Sequence, residues 1–500
     1  MNKTPIFKKV KPEYIILTLI LIFALFLRLY ALGTPVFWID EASSSIAAKN
    51  IIEKGIPVLD SGWLYSRSYL FHYTQAFFML FKQNEFFARF PSVIFGLLTI
   101  LLAFKIGKEY SKTGGIISAL FMSVFYLEVF FSRQARFYQL FQLAFFASLY
   151  FLYKSRPDSD QNNKKNKKTN KKNKQNNKEA NKQTYKQNNF YLYLALICFF
   201  IAYDTQIQAL VLAPFFIIHI LYYNKQKWLA ILPAIPLLSR FIPAINLSTG
   251  SANAINYASD YYSFAYKMRY LLILFIPGVI WSYVKKKRLT LMLILPSIIT
   301  LIGVFTLKSF ALRYSYFFVF PLVLYSSLCL SYLYERFGKI IIIAIIAVLL
   351  FPSNLFFPFS YVNIIKPVSS NLGDYSAPFT NYKAIPEDLV LKMKNSTIIG
   401  FFSSDLEWYI KKPNFVIPFT MTGVNPDEVS YVNSSNVTVD RYSGALILNE
   451  TSDIPNRPYY VNSDSFSISR LTDHQQIIFN TSISNCDAVY VARDLMIWEC

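Results

Sequence analysis

Residues 15–42 read IILTLILIFALFLRLYALGTPVFWIDEA, an apolar run followed almost at once by two adjacent carboxylates. The run from Ile15 to Leu32 is long enough to cross about 30 Å of hydrocarbon. Asp40 and Glu41 then fall just beyond the membrane boundary, where acidic side chains can take up a proton, bind a metal or orient a polar ligand. Loops near membranes also carry acids simply because they are wet, so position alone leaves both interpretations open.

The composition indicates the class of protein. Hydrophobic residues make up 54% of the chain and charged residues only 16%, against about 25% charged residues in soluble proteins. Apolar runs of spanning length recur up to about residue 350,. The first run is too long for a cleaved signal peptide, and no small-residue cleavage site precedes Trp38,. The sequence therefore predicts a polytopic α-helical membrane protein.

The net charge of +21 is concentrated in a few loops. The tract 161–189 is rich in Lys, Asn and Gln and too polar to bury a core, which predicts a disordered loop over 155–189,. Loops with excess positive charge stay on the cytoplasmic side, so the charge indicates membrane topology and no nucleic-acid partner. Most of the remaining excess lies at Lys105, Lys108, Lys112, Lys225, Lys227, Lys285, Lys286, Lys287 and Arg288.

Hydropathy predicts about eleven spans in a membrane domain over residues 1–354. With the basic N-terminal tail inside, alternation places every basic loop in the cytoplasm and the acidic pair outside, on a long outer loop over 33–87,. An odd number of spans also places residues 355–500 outside the membrane. The predicted spans are 15–32, 88–107, 114–131, 137–153, 190–203, 207–223, 228–245, 265–284, 289–307, 314–333 and 339–353.

The segment after residue 355 differs in composition from the membrane part. Short β-branched alternation at 436–439 and frequent turn formers predict a small extracytoplasmic domain, α/β or mostly β,. Cys486 and Cys500 could pair there in an oxidising compartment, whereas Cys198 and Cys329 fall within spans and are expected to be inert,.

The outer loop contains an aromatic stretch from Tyr69 to Phe81 that is too short to cross a membrane comfortably. It predicts a helix lying at the interface,. His72 lies on that helix, where a lone histidine is more often a packed residue than a ligand. The chain shows no histidine cluster with metal-ligand spacing, no Gly-rich phosphate loop and no Cys-x-x-Cys pair,, so a cytoplasmic nucleotide-dependent activity has no evident site.

Four short segments, in this order and topology, resemble the GT-C membrane glycosyltransferases. They are WIDEA at 38–42, EFFARFPS at 85–92, SRQARFY at 132–138 and LRY at 312–314. The resemblance is to the branch of protein O-mannosyltransferases and aminoarabinose transferases. It is strong over about residues 10–155, weaker to about 335, and absent beyond 355.

This resemblance implies an enzyme that moves a sugar from a polyprenyl-phosphate-linked donor to a protein, lipid or glycan acceptor on the outer face. Transfer with inversion needs a carboxylate that accepts or orients the acceptor hydroxyl proton. Asp40 matches the catalytic acidic position of the family, and Glu41 is its expected supporting neighbour. The leaving phosphate needs bidentate cations, which arginine provides. The expected substrate-binding residues are Arg133, Arg136, Tyr138, Arg313, Tyr314, His72 and Asp204.

Several alternatives stay open from the residues alone. Arg133 and Arg136 could be snorkelling residues that only end a helix. Glu85 and Arg89 are four residues apart, which favours a structural ion pair, and Glu128 is expected to have an arginine partner. Many relatives carry an acid near the position of Tyr138, so its absence here leaves the involvement of a divalent metal open.

Two other functions compete with a glycosyltransferase of outer-face proteins. A related enzyme could modify a lipid or a surface polysaccharide. A transporter, or a non-catalytic membrane component, belongs to a different class. Transporters favour internal repeats and charged or broken helices at mid-membrane. The sequence shows no clear repeat, and its candidate acids gather at the outer edge, which favours the enzyme.

Overall fold

The computed structural model of the chain describes residues 11–156, 174–244, 268–305, 312–338, 380–401, 404–418, 430–432, 438–469, 471–492 and 495–500. Helices joined by turns and loops make up the described residues as far as 338, and a mixed sheet with short helices follows. The protein is therefore a helical membrane protein with a small α/β domain at its C-terminal end, which confirms the predicted fold class.

The helices of the membrane part follow one another in chain order. They are α1 (Pro12–Leu29), α2 (Ile39–Lys54), α3 (Tyr69–Met79), α4 (Glu85–Tyr110), α5 (Lys112–Val124), α6 (Tyr126–Phe131), α7 (Tyr138–Lys154), α8 (Lys174–Thr205), α9 (Leu212–Tyr223), α10 (Ile231–Ala244), α11 (Arg269–Phe305) and α12 (Val319–Phe337). Short 3-10 segments precede α9, α10 and α12, at Ile207–Val211, Lys227–Ala230 and Leu312–Phe318.

Among the described residues, four helical runs are long and apolar enough to cross a membrane by length and composition. They are Pro12–Leu29, Glu85–Tyr110, Leu271–Val304 and Arg313–Phe337. The third run contains a non-helical residue, Lys286, at the point where α11 kinks. The two spans predicted at 265–284 and 289–307 therefore meet at this residue. The last predicted span, 339–353, lies outside the described residues.

Small and capping residues determine how α4 and α5 pack. The Ser111 hydroxyl accepts a hydrogen bond from the Gly114 N–H at 2.8 Å and so begins α5 directly after α4,. A Cβ at Gly107 would lie only 2.7 Å from the Gly114 carbonyl oxygen. Glycine at this point therefore allows the two backbones to approach closely, as small residues do in membrane helix pairs.

The prediction of a disordered tract over 155–189 is wrong for its second part. The helix α8 begins at Lys174 and runs without a break to Thr205. Adding residues to an existing membrane helix requires no new nucleus, so a polar extension can continue the helical backbone. The earlier residues of the tract, 157–173, lie outside the described part of the chain.

The outer loop is more helical than expected. An interfacial helix predicted from Tyr69 to Phe81 is present as α3, which ends at Met79. The acidic pair, in contrast, does not lie in a loop, because Asp40 and Glu41 are in the first turn of α2. Acidic side chains are favourable there, since the N-terminal end of a helix carries a partial positive charge.

The C-terminal domain is built on one mixed sheet whose strand order is β3-β4-β5-β2-β1-β6-β8-β7. Parallel pairing joins β1 to β2 and to β6, whereas β7 and β8 pair antiparallel at one end. The predicted disulfide between Cys486 and Cys500 is confirmed. The strands are β1 (Thr397–Phe401), β2 (Phe415–Ile417), β3 (Ser430–Val432), β4 (Thr438–Asp440), β5 (Leu446–Ile447), β6 (Tyr459–Ser463), β7 (Asp487–Ala492) and β8 (Leu495–Glu499). The helices are α13 (Glu387–Lys394), α14 (Ser404–Tyr409), α15 (Ser465–Ile468) and α16 (Asp473–Ser482).

This domain is attached to the outer loop by direct contacts. The Tyr409 hydroxyl accepts a hydrogen bond from the Phe37 N–H at 2.7 Å and donates to Glu85 at 3.0 Å. The hydroxyls of Ser43 on α2 and Ser404 on α14 lie 2.7 Å apart. The C-terminal domain therefore holds the segment that carries the acidic pair.

Candidate functional site

Asp40 is the centre of a small charged cluster. Its Oδ2 atom lies 3.5 Å from Nη2 of Arg136 and 3.6 Å from Nη2 of Arg313. These residues come from three separate elements, and the structure brings them together as the resemblance implied. The Asp40 side chain keeps 27% of its surface exposed, whereas that of Arg136 keeps 4%. The carboxylate is thus the accessible member of an otherwise covered pair.

Arg136 is held in place by more than Asp40. Its Nη1 atom donates to the backbone carbonyl of Asp40 at 3.0 Å, to the Ser44 hydroxyl at 2.7 Å and to the Tyr65 hydroxyl at 3.0 Å. The ring of Tyr138 lies 5.6 Å from the guanidinium carbon, within the range of a cation–π contact. These contacts fix the direction in which the guanidinium points.

Arg313 approaches Asp40 from the 3-10 segment Leu312–Phe318. Its guanidinium carbon lies 5.4 Å from the ring of Trp38 and 5.5 Å from that of Tyr314. Within the described part of the chain, the buried Nε atoms of Arg136 and Arg313 have no hydrogen-bond acceptor. Buried donors are rarely left without a partner, so each cation still has an N–H group that can bind an anion.

Glu41 points away from this cluster. It forms a bidentate pair with Arg89, with both N–O distances at 2.8 Å, and its Oε1 atom also accepts the Ala135 N–H at 2.7 Å. The side chain is 1% exposed. Glu41 therefore supports the site by joining α2, α4 and the turn before α7, and it cannot reach a substrate.

Arg133, which was expected to bind phosphate beside Arg136, makes its hydrogen bonds to helix α1 and none to Asp40 among the described residues. Residues 132–137 form turns between α6 and α7, and they direct the two arginines to different partners. Arg133 donates to the carbonyl of Leu27 at 2.8 Å and to that of Tyr30 at 2.6 Å. The last carbonyls of a helix need donors from outside the helix, and Arg133 provides them for α1.

Asp204 and His72 are also structural. Asp204 accepts the N–H groups of Tyr69 and Leu70 at 3.1 and 3.2 Å, so it caps the first turn of α3,. His72 is fully buried, and its Nδ1–H donates to the Ser68 carbonyl at 2.8 Å. Burial, with a smaller effect from Arg136, lowers the pKa of His72 to about 3. A neutral, enclosed ring cannot bind substrate.

The expected ion pair between Glu85 and Arg89 is wrong, and the expected arginine partner of Glu128, Arg28, interacts with it only through space. Arg89 pairs with Glu41, and Glu85 binds Lys383 of the C-terminal segment at 2.7 Å. The C-terminal domain thus supplies the partner of Glu85. No arginine bonds to Glu128 among the described residues, since its carboxyl group contacts the hydroxyl of Tyr316 and the amide of Gln142, each at 2.8 Å.

Sequence reasoning missed several residues that lie around Asp40. Ser44 is one helical turn further along α2, and an α-helix predicted over 39–54 would have placed it on the same side. No pattern in the sequence around Tyr65 indicates that it lies near Asp40. Tyr442 comes from the C-terminal domain, where burial and then the charges of Tyr65 and Asp40 raise the pKa of its hydroxyl. Proximity across so many residues cannot be read from the sequence.

The residues around Asp40 do not fit a divalent metal site. Among the described residues, no group of three or more His, Cys, Asp and Glu side chains could hold a metal ion. The charged neighbours of Asp40 are two arginines, and the carboxylate of Glu41 is occupied by Arg89. A metal site of this kind needs several oxygen ligands, whereas arginines already occupy both carboxylates here.

Comparison with known proteins supports the resemblance seen in the sequence. Residues 67–162 match the family described as dolichyl-phosphate-mannose-protein mannosyltransferase. This segment contains α3 to α7, and with them Arg89 and Arg136. No curated protein sequence is significantly similar to the chain.

Solved structures of two membrane glycosyltransferases are similar in fold. ArnT from Cupriavidus metallidurans in the apo state has a TM-score of 0.55 and 11% sequence identity, with 97% of each chain covered. ArnT bound to undecaprenyl phosphate has a TM-score of 0.50 and 13% identity. The oligosaccharyltransferase of Archaeoglobus fulgidus, complexed with Zn and sulfate, has a TM-score of 0.54 and 11% identity, covering 90% of this chain and 68% of that chain. The GT-C fold expected from the sequence is thereby confirmed.

Proposed function

We propose that this chain, a membrane protein with the GT-C fold and a mannosyltransferase-like segment, transfers a sugar from a polyprenyl-phosphate-linked donor to an acceptor hydroxyl. One observation carries the proposal. An accessible carboxylate, Asp40, lies between Arg136 and Arg313, whose Nε–H groups have no acceptor among the described residues. A base beside two cations with spare donors provides what this reaction needs.

The arginines suit the phosphate of the donor. Charge-assisted hydrogen bonds have typical lengths of about 2.7–2.9 Å, whereas the contacts of Asp40 with Arg136 and Arg313 are 3.5 and 3.6 Å long. These loose contacts can be exchanged for shorter ones when a phosphate arrives. The Nε and Nη groups of one guanidinium can then bind two phosphate oxygens at once.

The exchange frees Asp40 for the reaction. The acceptor hydroxyl attacks the anomeric carbon of the sugar, and the bond between that carbon and the phosphate oxygen breaks. Asp40 accepts the hydroxyl proton, while the leaving lipid phosphate keeps the electron pair and its negative charge. Arg136 and Arg313 stabilise that charge as it develops, which lowers the energy of the transition state more than that of the bound donor.

The comparisons support the donor class more directly than the acceptor. ArnT has been solved with undecaprenyl phosphate, and the archaeal AglB with dolichol phosphate and an inhibitory peptide. For this chain we infer a polyprenyl phosphate carrier, a hexose or pentose as the sugar, and a protein, lipid or glycan as the acceptor. The site faces outside the cytoplasm, with the C-terminal domain beside it.

The test is a transfer assay with the whole chain in detergent micelles. A labelled sugar on a short polyprenyl phosphate is the donor, and solvent-extracted membrane lipids and proteins are offered as separate acceptors. We expect label in one acceptor fraction and none when the same sugar is supplied as a nucleotide sugar. Transfer only from the nucleotide sugar, or no transfer from the polyprenyl donor, would rule the proposal out.

A further inference from the structure

A second polar cluster lies inside the membrane part, deeper than Asp40. Glu128 on α6 is 1% exposed, and Gln139 and Gln142 on α7 are completely buried. The hydroxyl of Tyr316, from the same 3-10 segment as Arg313, also reaches this cluster. Ionisable groups within the membrane are costly to bury, so a buried acid here needs an explanation.

The hydrogen bonds of this cluster need one more proton than is present if Glu128 is ionised and the other side chains are neutral. The Tyr316 hydroxyl oxygen lies 2.8 Å from Oε2 of Glu128 and 2.7 Å from Oε1 of Gln139. A phenol carries a single proton, and neither an ionised carboxylate nor an amide oxygen can donate. Both contacts are hydrogen bonds only if Glu128 carries a proton.

Turning the amide groups removes this requirement only by giving up another hydrogen bond of the cluster. If the Gln139 amide is turned, its oxygen faces Oε1 of Gln142, at the present N–O distance of 3.2 Å. Turning Gln142 as well places its oxygen against Oε1 of Glu128, at the present distance of 2.8 Å. Each arrangement that pairs all these atoms places a proton on Glu128.

The nearby cation does not take the place of that proton. Arg28 is fully buried, and its Nη atoms donate to the backbone carbonyls of Ala24, Met122 and Ser123 at 3.2, 3.2 and 2.9 Å. These carbonyl dipoles stabilise its charge. Among the described residues Arg28 makes no hydrogen bond to Glu128 and acts on it only through space, so the hydrogen bonds of the acid are all made with neutral groups.

We propose that Glu128 is an un-ionised carboxylic acid and a positioning residue for Arg313. In a 3-10 helix, side chains three residues apart lie on the same side, so Tyr316 lies one turn below Arg313. Glu128 holds the Tyr316 hydroxyl and thereby fixes the 3-10 segment that carries both Tyr316 and Arg313. The fixed segment directs Arg313 toward Asp40. The effect on sugar transfer rests on the function proposed above, whereas the protonation state of Glu128 does not.

The kinetic test compares two substitutions of Glu128. Glu128→Gln keeps the shape and replaces the acid O–H by an amide N–H, so we expect a donor KM within about twofold of the wild type. Glu128→Ala removes both contacts and should raise the donor KM about tenfold. Tyr316→Phe removes only the hydroxyl and should raise the donor KM as Glu128→Ala does. It takes the place of Glu128→Ala in the comparison if the Glu128→Ala protein does not reach the membrane.

A double-mutant cycle separates positioning from general stability. In an Arg313→Ala background, Glu128→Ala should change the donor KM by less than about twofold, because the residue it positions is gone. Independent, multiplicative losses would overturn the positioning role, as would wild-type kinetics in both Glu128→Ala and Tyr316→Phe. A Glu128→Gln variant as impaired as Glu128→Ala would show that the negative charge is needed and would overturn the neutral acid.

An infrared spectrum tests the protonation state without any transfer assay. We expect the carbonyl stretching band of an un-ionised carboxylic acid in the wild type, and its loss in Glu128→Gln. The matched control is Glu109→Gln, because Glu109 is paired with Lys154 and Lys286 at 2.5 and 2.8 Å and should be ionised. If the band is present but no sugar is transferred, the proposed function fails and the protonation state stands. If Glu128→Gln leaves the band unchanged, the protonation state is wrong.

Discussion

At the scale of single residues, two adjacent acids have opposite tasks. Asp40 faces two arginines and keeps part of its surface exposed, whereas Glu41 is buried against Arg89. Consecutive residues of a helix are about 100° apart around its axis, so one helix turn can present one acid to a substrate and the other to the protein interior. In the proposed function the first carries the chemistry, and the second holds in place the helix end on which the first lies.

Arg136 should be sensitive even to lysine. Arg136→Lys keeps the charge but loses the planar fork that binds two phosphate oxygens, and it also loses the bonds to Ser44 and Tyr65,. We expect the donor KM to rise about tenfold or more. The measurement is the dependence of transfer on donor concentration. Arg336→Lys, an exposed substitution near the end of α12, is the control and should behave as the wild type. Unchanged kinetics in Arg136→Lys would reduce Arg136 to a structural residue.

Glu41→Gln should reduce stability more than it affects the chemical step. It leaves Arg89 buried without its anionic partner, and breaking such a pair costs about 3–5 kcal/mol. We expect a lower midpoint of thermal unfolding in detergent and less protein in the membrane. Glu53→Gln, at the other end of α2, breaks only an exposed pair with Lys49 and should change little. An unchanged midpoint with a large loss of transfer would instead make Glu41 a catalytic group.

At the scale of elements, periodicity predicted what local sequence determines. The spans corresponding to α1, α4 and α12 follow from long apolar runs, and the interfacial helix α3 follows from its aromatic stretch. The helix α2 was missed because it is neither apolar nor clearly amphipathic, and its burial depends on contacts with α3 and α14. The different partners of Arg133 and Arg136 were missed for a similar reason, since they depend on how the chain turns between α6 and α7.

The turn after β4 is a sensitive contact between the C-terminal domain and the outer loop. Gly444 has a φ of +68°, and a Cβ there would lie 2.7 Å from Cα of Ser61. Gly444→Ala should therefore loosen this contact, with faster hydrogen exchange in residues 56–66. Gly55 has a φ of +80° with nothing within 4 Å of its would-be Cβ, so Gly55→Ala matches the backbone strain without the clash. Equal exchange of residues 56–66 in the two variants would show that the contact is not important.

At the scale of the whole molecule, the ion pairs of the basic helix ends lie at the opposite end of the helix bundle from Asp40 and Glu41. Glu109, at the end of α4, binds Lys154 and Lys286, and Lys108 binds Glu13 at the beginning of α1. The opposite end of α4 carries Arg89 and its pair with Glu41. Two of the predicted basic loops, those with Lys108 and Lys286, thus share one end of the bundle and the acidic pair lies at the other.

The direction in which the bundle crosses the membrane is a prediction of the positive-inside rule. We expect a cysteine introduced at Glu450, in the C-terminal domain, to react with an impermeant maleimide in intact cells. A cysteine introduced at Lys287 should react only after the cells are opened. Both side chains are exposed in the folded chain, so access is limited by the membrane alone. The reverse pattern would place Asp40 in the cytoplasm and contradict the proposed donor side.

The most direct test of the account is the substitution Asp40→Asn. It preserves shape and hydrogen bonding but removes the charge and the basicity, so the acceptor hydroxyl loses the group that takes its proton. The measurement is transfer of labelled sugar from a polyprenyl-phosphate donor, in membranes normalised for the amount of protein. We expect transfer to fall at least about a hundredfold, with the protein present at its normal level. Transfer close to that of the wild type would contradict the central claim, because Asp40 would then be only an acid at a wet membrane edge.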